Sequence, residues 1–403
     1  MNKRALAVFV ACFLTIFTAY AIRYGYGILL IEMLPALAIT KAEAGVIFSS
    51  FFVAYTLMSP LLGLLGDRFG VRLLLPLFVA ILGVGTFLMS YASSVTEASL
   101  FYALAGIGAG ACWAPVMALA QRWSSDEHRG KTLAFVDVGS SLGIIVSSTA
   151  ISSIISANSW MTGWQTLGIM TLSIAALDFI LIKEPPGWGQ ANQKAESITA
   201  PGESVRKAYA GIIRDSKFWL IGVAYLLMAF SVLVPITFLS TYAVQEQGFS
   251  TEAAASLITV VGIGAFFGKL GLGAISDRTG RLRVMMLCSG LVVGGCLGVA
   301  YTQGWVLFLF TAVLSIGFGA FWPMYAAAAS DYFHHKHAGG IIGLWTVFMG
   351  VGSIISPSVA GWIADTTGTL SWSFVMAAIG AAISLLLLVP VWRTKQVSTA
   401  AGI

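Results

Sequence analysis

Apolar stretches of membrane-crossing length dominate this sequence and leave it few folds to choose from. A helix needs about 20 mostly apolar residues to cross a bilayer. Twelve such stretches occur, at 5–33, 43–65, 73–92, 97–121, 132–155, 163–182, 218–244, 252–275, 284–302, 304–330, 340–363 and 371–392. Of the 403 residues, 58% are hydrophobic and only 10% are charged, which excludes an ordinary soluble domain. Glycine and proline recur inside the stretches, where packed neighbours re-satisfy the backbone. The expected fold class is an all-α polytopic membrane protein with twelve transmembrane helices.

The basic residues set an expected orientation. Of the 22 Lys and Arg, Arg23 and Lys269 lie within spans and Lys41 falls in one set of loops; the other 19 fall at the termini or in the opposite set. Lys and Arg mark the cytoplasmic side, so both termini are expected there. This asymmetry accounts for the net charge of +5, and no nucleic-acid partner is needed to explain it. The apolar run after Lys3-Arg4 continues past Arg23 to Leu34 without a small-residue cleavage site, so it reads as span 1 and not as a signal peptide.

The chain repeats itself. Gly63–Arg72 reads Gly-Leu-Leu-Gly-Asp67-Arg68-Phe-Gly70-Val-Arg72, and the pattern returns as Gly273-Ala-Ile-Ser-Asp277-Arg278-Thr-Gly280-Arg281, 210 residues later between the aspartates. Span 4 carries Ile107-Gly-Ala-Gly110-Ala-Cys112-Trp113-Ala-Pro115, and span 10 answers with Ile316-Gly-Phe-Gly319-Ala-Phe-Trp322-Pro323, 209 residues on at the tryptophans. Two correspondences with nearly one offset point to internal duplication. The expected halves are 1–182 and 217–403, joined by a polar cytoplasmic linker at 183–216 that begins Lys183-Glu-Pro-Pro-Gly. The glycines read as close-packing positions between helices.

Few charges remain inside the spans. Arg23, 18 residues past Ala5, lies about 27 Å along the helix, in the outer half of the bilayer. Lys269, eight residues before Asp277, lies about 12 Å inside the cytoplasmic end of span 8. Each base either snorkels or faces a wet, functional cavity. Asp137 opens span 5, close to the interface, and Asp178, near the cytoplasmic end of span 6, is expected to reach water. Tyr26, Trp113, Trp322 and Tyr325 read as helix packing or as cavity lining. The four cysteines, Cys12, Cys112, Cys288 and Cys296, read as small apolar filler, with no metal-ligand spacing and no disulfide framework. No nucleophile–base pair or phosphate loop stands out, so no enzyme and no cofactor is expected.

Two six-span halves, the doubled charged turn and the central linker resemble the major facilitator superfamily along the whole chain. The resemblance implies two pseudo-symmetric six-helix halves around a central cavity, worked by alternating access. It also implies that Asp67, Arg68, Arg72, Asp277, Arg278 and Arg281 tie helices together on the cytoplasmic side and gate the carrier. Arg122-Trp123 with Arg129-Gly130, and Ser330-Asp331-Tyr332-Phe333 with Gly339-Gly340, are similar to the monocarboxylate transporters and oxalate/formate antiporters. That group carries a carboxylate-binding arginine where Lys269 stands here. The second lysine of the oxalate type is missing from 340–363, and Arg23-Tyr24-Gly25 stands where the animal carriers have an acid and glycine.

The charge balance inside the spans favours an anionic solute. Lys269 is the expected anchor and Arg23 the alternative, about 15 Å away along the membrane normal and so too far to share one small dicarboxylate. Tyr26, Trp113, Trp322 and Tyr325 lie on spans 1, 4 and 10, which line the pathway in the superfamily; an Asp137–Lys269 pair between spans 5 and 8 would form a proton-sensitive inner gate. The expected function is secondary transport of a small organic anion, a lactate- or pyruvate-type monocarboxylate with a proton. The alternatives are an anion exchanger, a carrier of sugar acids or other small solutes, and a non-transporting solute sensor. The expected setting is a plasma or bacterial inner membrane, with the monomer as the working unit.

Overall fold

The computed structural model describes residues 3–125, 128–185, 211–333 and 338–400, with side chains at all of these except Leu64, 67–69, Arg129, Ser330, 338–340 and 394–400. Among them the regular structure is helical, with no strand. The first set of helices is α1 (Lys3–Ala36), α2 (Lys41–Phe69), α3 (Leu74–Leu88), α4 (Val95–Ala109), α5 (Ala114–Trp123), α6 (Arg129–Ala157) and α7 (Trp160–Leu181). The second is α8 (Ser216–Gln245), α9 (Thr251–Thr279), α10 (Arg281–Tyr301), α11 (Val306–Tyr332), α12 (Ala338–Thr367) and α13 (Ser371–Ala400). Twelve spans are long and apolar enough to cross a membrane, and one of them, Val95–Trp123, is shared by α4 and α5. The protein is a multi-pass membrane protein of the all-α class.

Contacts within the chain gather into two units, Met1–Ala200 with Phe249–Thr259, and Pro201–Gly248 with Val260–Ile403. In the first, α1 packs along α6 and α7, α2 along α4, and α3 along α4 and α7. In the second, α8 packs along α12 and α13, and α10 along α11 and α13. Glycine makes these approaches possible. A Cβ on Gly143 of α6 would strike the Phe17 carbonyl of α1, and one on Gly352 of α12 would strike the Leu226 carbonyl of α8. Both members of the second contact lie 209 residues after those of the first, so the duplication extends to individual backbone contacts.

Helix ends repeat in the same way. Thr40 caps α2 through a capping box with Glu43, and Ser250, 210 residues on, accepts from the Ala253 N–H at the start of α9. At the outgoing ends, Gly70 (φ 80°) and Gly280 (φ 92°) adopt a backbone that only glycine takes without strain, and this turns the chain sharply into the next helix. The charged turns therefore lie largely inside helices. Asp67 and Arg68 belong to the last turn of α2 and Asp277 and Arg278 to the last turn of α9; the chain then leaves the helix over 70–73 in the first copy and at Gly280 alone in the second.

A third repeated device was not foreseen. Glu32, near the end of α1, accepts the Trp160 N–H at the first turn of α7 (2.9 Å). Glu246, just past α8, accepts the Leu370 N–H (2.7 Å) and the Thr369 hydroxyl at the start of α13. Each acid meets the unpaired N–H groups and positive end of the last helix in its own unit. Span 4 departs from the expected single helix: residues 110–113 form a turn, and α5 restarts with Trp113 as N-cap and Pro115 in its first turn. Proline has no N–H to lose at that position, so the break falls where the backbone can best accommodate it.

Candidate anion site

Arg23 sits opposite the middle of α2. Its guanidinium carbon lies 5.3 Å from the ring centre of Tyr20, 5.4 Å from Phe51, 5.2 Å from Phe52 and 5.0 Å from Tyr55. The spacing on α2 explains the cage, because residues 51, 52 and 55 fall on one face of a helix with 3.6 residues per turn. Aromatic faces present negative charge to a cation, and a planar guanidinium stacks on them while keeping its N–H groups directed along its edge. The Nε atom is buried and has no hydrogen-bond partner among the described residues. Tyr102 adds a second unused group nearby, since its ring is fully buried and its hydroxyl is also unpartnered. A cation held by ring faces, with its edge donor unused and no acid bonded to it, is suited to receive an oxyanion.

Tyr26 does not join this arrangement. It is fully buried, its hydroxyl donates to the Ala44 carbonyl (2.7 Å), and its ring stacks on Tyr102 at 5.2 Å. In this structure it is a packing residue of the first unit. Trp113 is partly exposed at the α4–α5 break. Asp137 is half-buried on α6, and Tyr20 lies within electrostatic range of both Asp137 and Arg23.

The second unit holds Lys269, half-buried on α9. It also holds an aromatic cluster in which Tyr325 stacks on Tyr225 (4.3 Å, 16° between planes) and Trp322 lies 4.1 Å from Phe321 and 5.9 Å from Tyr225. Tyr325 is buried close to Ser384, whose hydroxyl donates to the Ala224 carbonyl (2.9 Å). Tyr225 of α8 is the member that sequence reasoning missed. Nothing in Val223-Ala-Tyr225-Leu separates it from ordinary helix packing before α8 and α11 are placed side by side.

The residues of the repeated charged turns have plainer surroundings. The side chains of Asp67 and Arg68 lie outside the described residues. Arg72 and Arg278 are exposed. Arg281 pairs with Asp277 at 2.7 Å and bonds Ser276, clamping the start of α10 to the end of α9 across Gly280. In the first unit the tie is made by Glu184, which sequence reasoning assigned to the linker. Its carboxylate accepts the Val71 N–H (2.6 Å) and lies 3.7 Å from Arg122, while Trp123 donates to the Lys183 carbonyl (2.7 Å). Glu184 thus joins the turn after α2 to the ends of α5 and α7.

With this geometry in place, comparison with known proteins decides the family. The family model described as Major Facilitator Superfamily matches residues 12–305 and 252–402. The chain belongs to the Major Facilitator Superfamily. It is 24% identical over 358 residues to the hexuronate transporter of Bacillus subtilis (strain 168), covering 85% of this chain and 83% of that protein. It is 24% identical over 363 residues to monocarboxylate transporter 12-B of Danio rerio, covering 82% and 75%. The crystal structure of a bacterial homolog to the human lysosomal transporter Spinster superimposes with a TM-score of 0.78, at 15% identity and 98% coverage of both chains. This likeness fixes the fold alone. As a superfamily member, the protein is a secondary transporter of small solutes.

Proposed function

We propose that this protein carries small organic anions across the membrane by alternating access, taking a monocarboxylate inward together with a proton. One observation carries the reading: Arg23 is a buried, caged guanidinium whose edge donor is unpartnered and to which no acid is bonded among the described residues. The named relatives, a hexuronate and a monocarboxylate transporter, support an anionic solute. Arg23 is accordingly the anchor in this reading, displacing Lys269 from the place that sequence reasoning gave it.

Lys269 and Asp137 then serve as gate residues of the second and first units, and the Asp67, Arg68, Arg72, Asp277, Arg278 and Arg281 motifs hold the cytoplasmic ends. Trp322, Tyr325 and Trp113 offer ring faces and a hydroxyl to the body of the solute. The setting is a plasma or bacterial inner membrane, with both termini cytoplasmic and the monomer as the working unit.

Uptake of radiolabelled lactate and D-glucuronate into proteoliposomes, with and without an inward proton gradient, tests the reading. Gradient-stimulated uptake of either anion, abolished by Arg23→Ala, is the expected result. Uptake unchanged by Arg23→Ala but lost in Lys269→Ala would return the anchor to α9. Binding of the anion without sustained flux would mark a sensor, and the transport reading would fall.

A further inference from the structure

Asp178 was expected to reach water. Instead it is 0% exposed, and no other Asp, Glu, Lys or Arg among the described residues is as deeply buried. Sequence depth misleads here because α1 runs well past the end of α7 and covers it. The Thr15 hydroxyl of α1 donates to Oδ2 at 2.7 Å. Oδ1 is buried with no hydrogen-bond partner, and no cation pairs with the group among the described residues. An ionised carboxylate in such a place loses its hydration with one donor in return, a cost of several kcal/mol unless a proton neutralises it.

The surroundings hold little else that titrates. Cys12 of α1 and Cys112 at the α4–α5 break lie within electrostatic range of Asp178, and Cys112 is also within range of Arg23. The α3 segment packed along α7 contains no titratable side chain. On α6, Lys131 and Asp137 make no bond to Asp178, and the Arg129 side chain lies outside the described residues. A second polar pair, Thr18 with Thr171 (2.7 Å), continues the same α1–α7 seam. Thr15 and Arg23 share α1, eight residues or about 12 Å apart along its axis.

We propose that Asp178 is the group that takes up and releases the coupled proton, and that Thr15 transmits its state along α1 to the anion at Arg23. This rests on the proton-symport reading above. The only bond made and broken is the O–H bond at the Asp178 carboxyl, with the proton drawn from outer water as the anion loads and returned to cytoplasmic water as it leaves. Two events that bias one helix give thermodynamic coupling between sites that never touch. Asp178 acts through Thr15 and not on the solute, so its role is one of coupling.

The test uses proteoliposomes containing a trapped pH dye and whichever of lactate and D-glucuronate the wild type carries. In Asp178→Asn, exchange of labelled for unlabelled anion should stay within about threefold of wild type, because the anchor is intact. Gradient-driven accumulation should fall at least tenfold, and anion-dependent proton entry should vanish. An Asp178→Asn protein that still moves a proton with each anion overturns the proposal and leaves the symport reading standing. Thr15→Val should move the midpoint of the uptake–pH profile and Thr15→Ser should restore it, which keeps the test decisive if Asp178→Asn fails to fold. An unmoved profile in Thr15→Val overturns the proposal as well. Anion flux without proton movement in the wild type overturns the symport reading itself, and is seen before any variant is made.

Discussion

At Arg23 the chain uses four rings where a buried cation would ordinarily need an acid. Each ring contributes on the order of 0.5–2 kcal/mol to a desolvated cation, and none competes for the N–H edge as a carboxylate would. Arg23→Lys keeps the charge but loses the planar stack and the paired donors; a KM rise of about tenfold or more, with a smaller change in kcat, is expected in initial-rate uptake. Phe51→Leu removes one ring face while leaving the edge donors in place, and should raise KM by less than Arg23→Lys does. The buried base was legible in the sequence because an arginine within a long apolar run has few explanations. Its cage was not, since the meeting of residue 23 with residues 51, 52 and 55 depends on how α1 and α2 are set in register. Asp178 shows the opposite error, a depth inferred from its own helix and reversed by a neighbour.

Single helices carry the next level of design. Glu32 and Glu246 each fasten the last helix of a unit to the first by capping its N-terminus. A carboxylate bonded to helix N–H groups contributes about 1–2 kcal/mol through the hydrogen bond and the helix dipole together. Glu246→Ala should therefore lower the thermal midpoint in detergent by a few degrees, with Glu246→Gln recovering part of the loss. Glu184→Gln should loosen the ties to Val71 and Arg122 and speed proteolysis at the turn after α2, with little effect on anion KM. The twelve spans were legible because apolar length is a strong signal. The α4–α5 break and the acid caps were not, because a proline or a glutamate near a helix end reads the same whether or not a partner awaits it.

Across the whole chain, duplication is the organising fact. The repeat that sequence comparison finds in Asp67/Asp277 and Trp113/Trp322 reappears as Gly143 on Phe17 and Gly352 on Leu226, and as Gly70 and Gly280 with positive φ. Any side chain at Gly70 or Gly280 must adopt a strained backbone costing about 1–3 kcal/mol. Gly70→Ala and Gly280→Ala should each destabilise by that amount, and the double variant by close to the sum, since the two residues belong to separate units. Thermal unfolding of the three proteins measures this directly; a large excess over the sum would mean that the halves do not unfold independently at these turns.

The ring cage around Arg23 also has an electrical consequence. A guanidinium held by rings, with no acid bonded to it among the described residues, leaves its charge to be offset by what the transport cycle brings. Moving one elementary charge through the full membrane field involves about 2.3 kcal/mol per 100 mV. With a monoanion at Arg23 and a proton on Asp178, the loaded form of the proposed cycle would be neutral at both groups. Empty, the Arg23 cation and an ionised Asp178 would offset each other, so the proposed proton symport would move no net charge per cycle and its rate would be nearly indifferent to voltage.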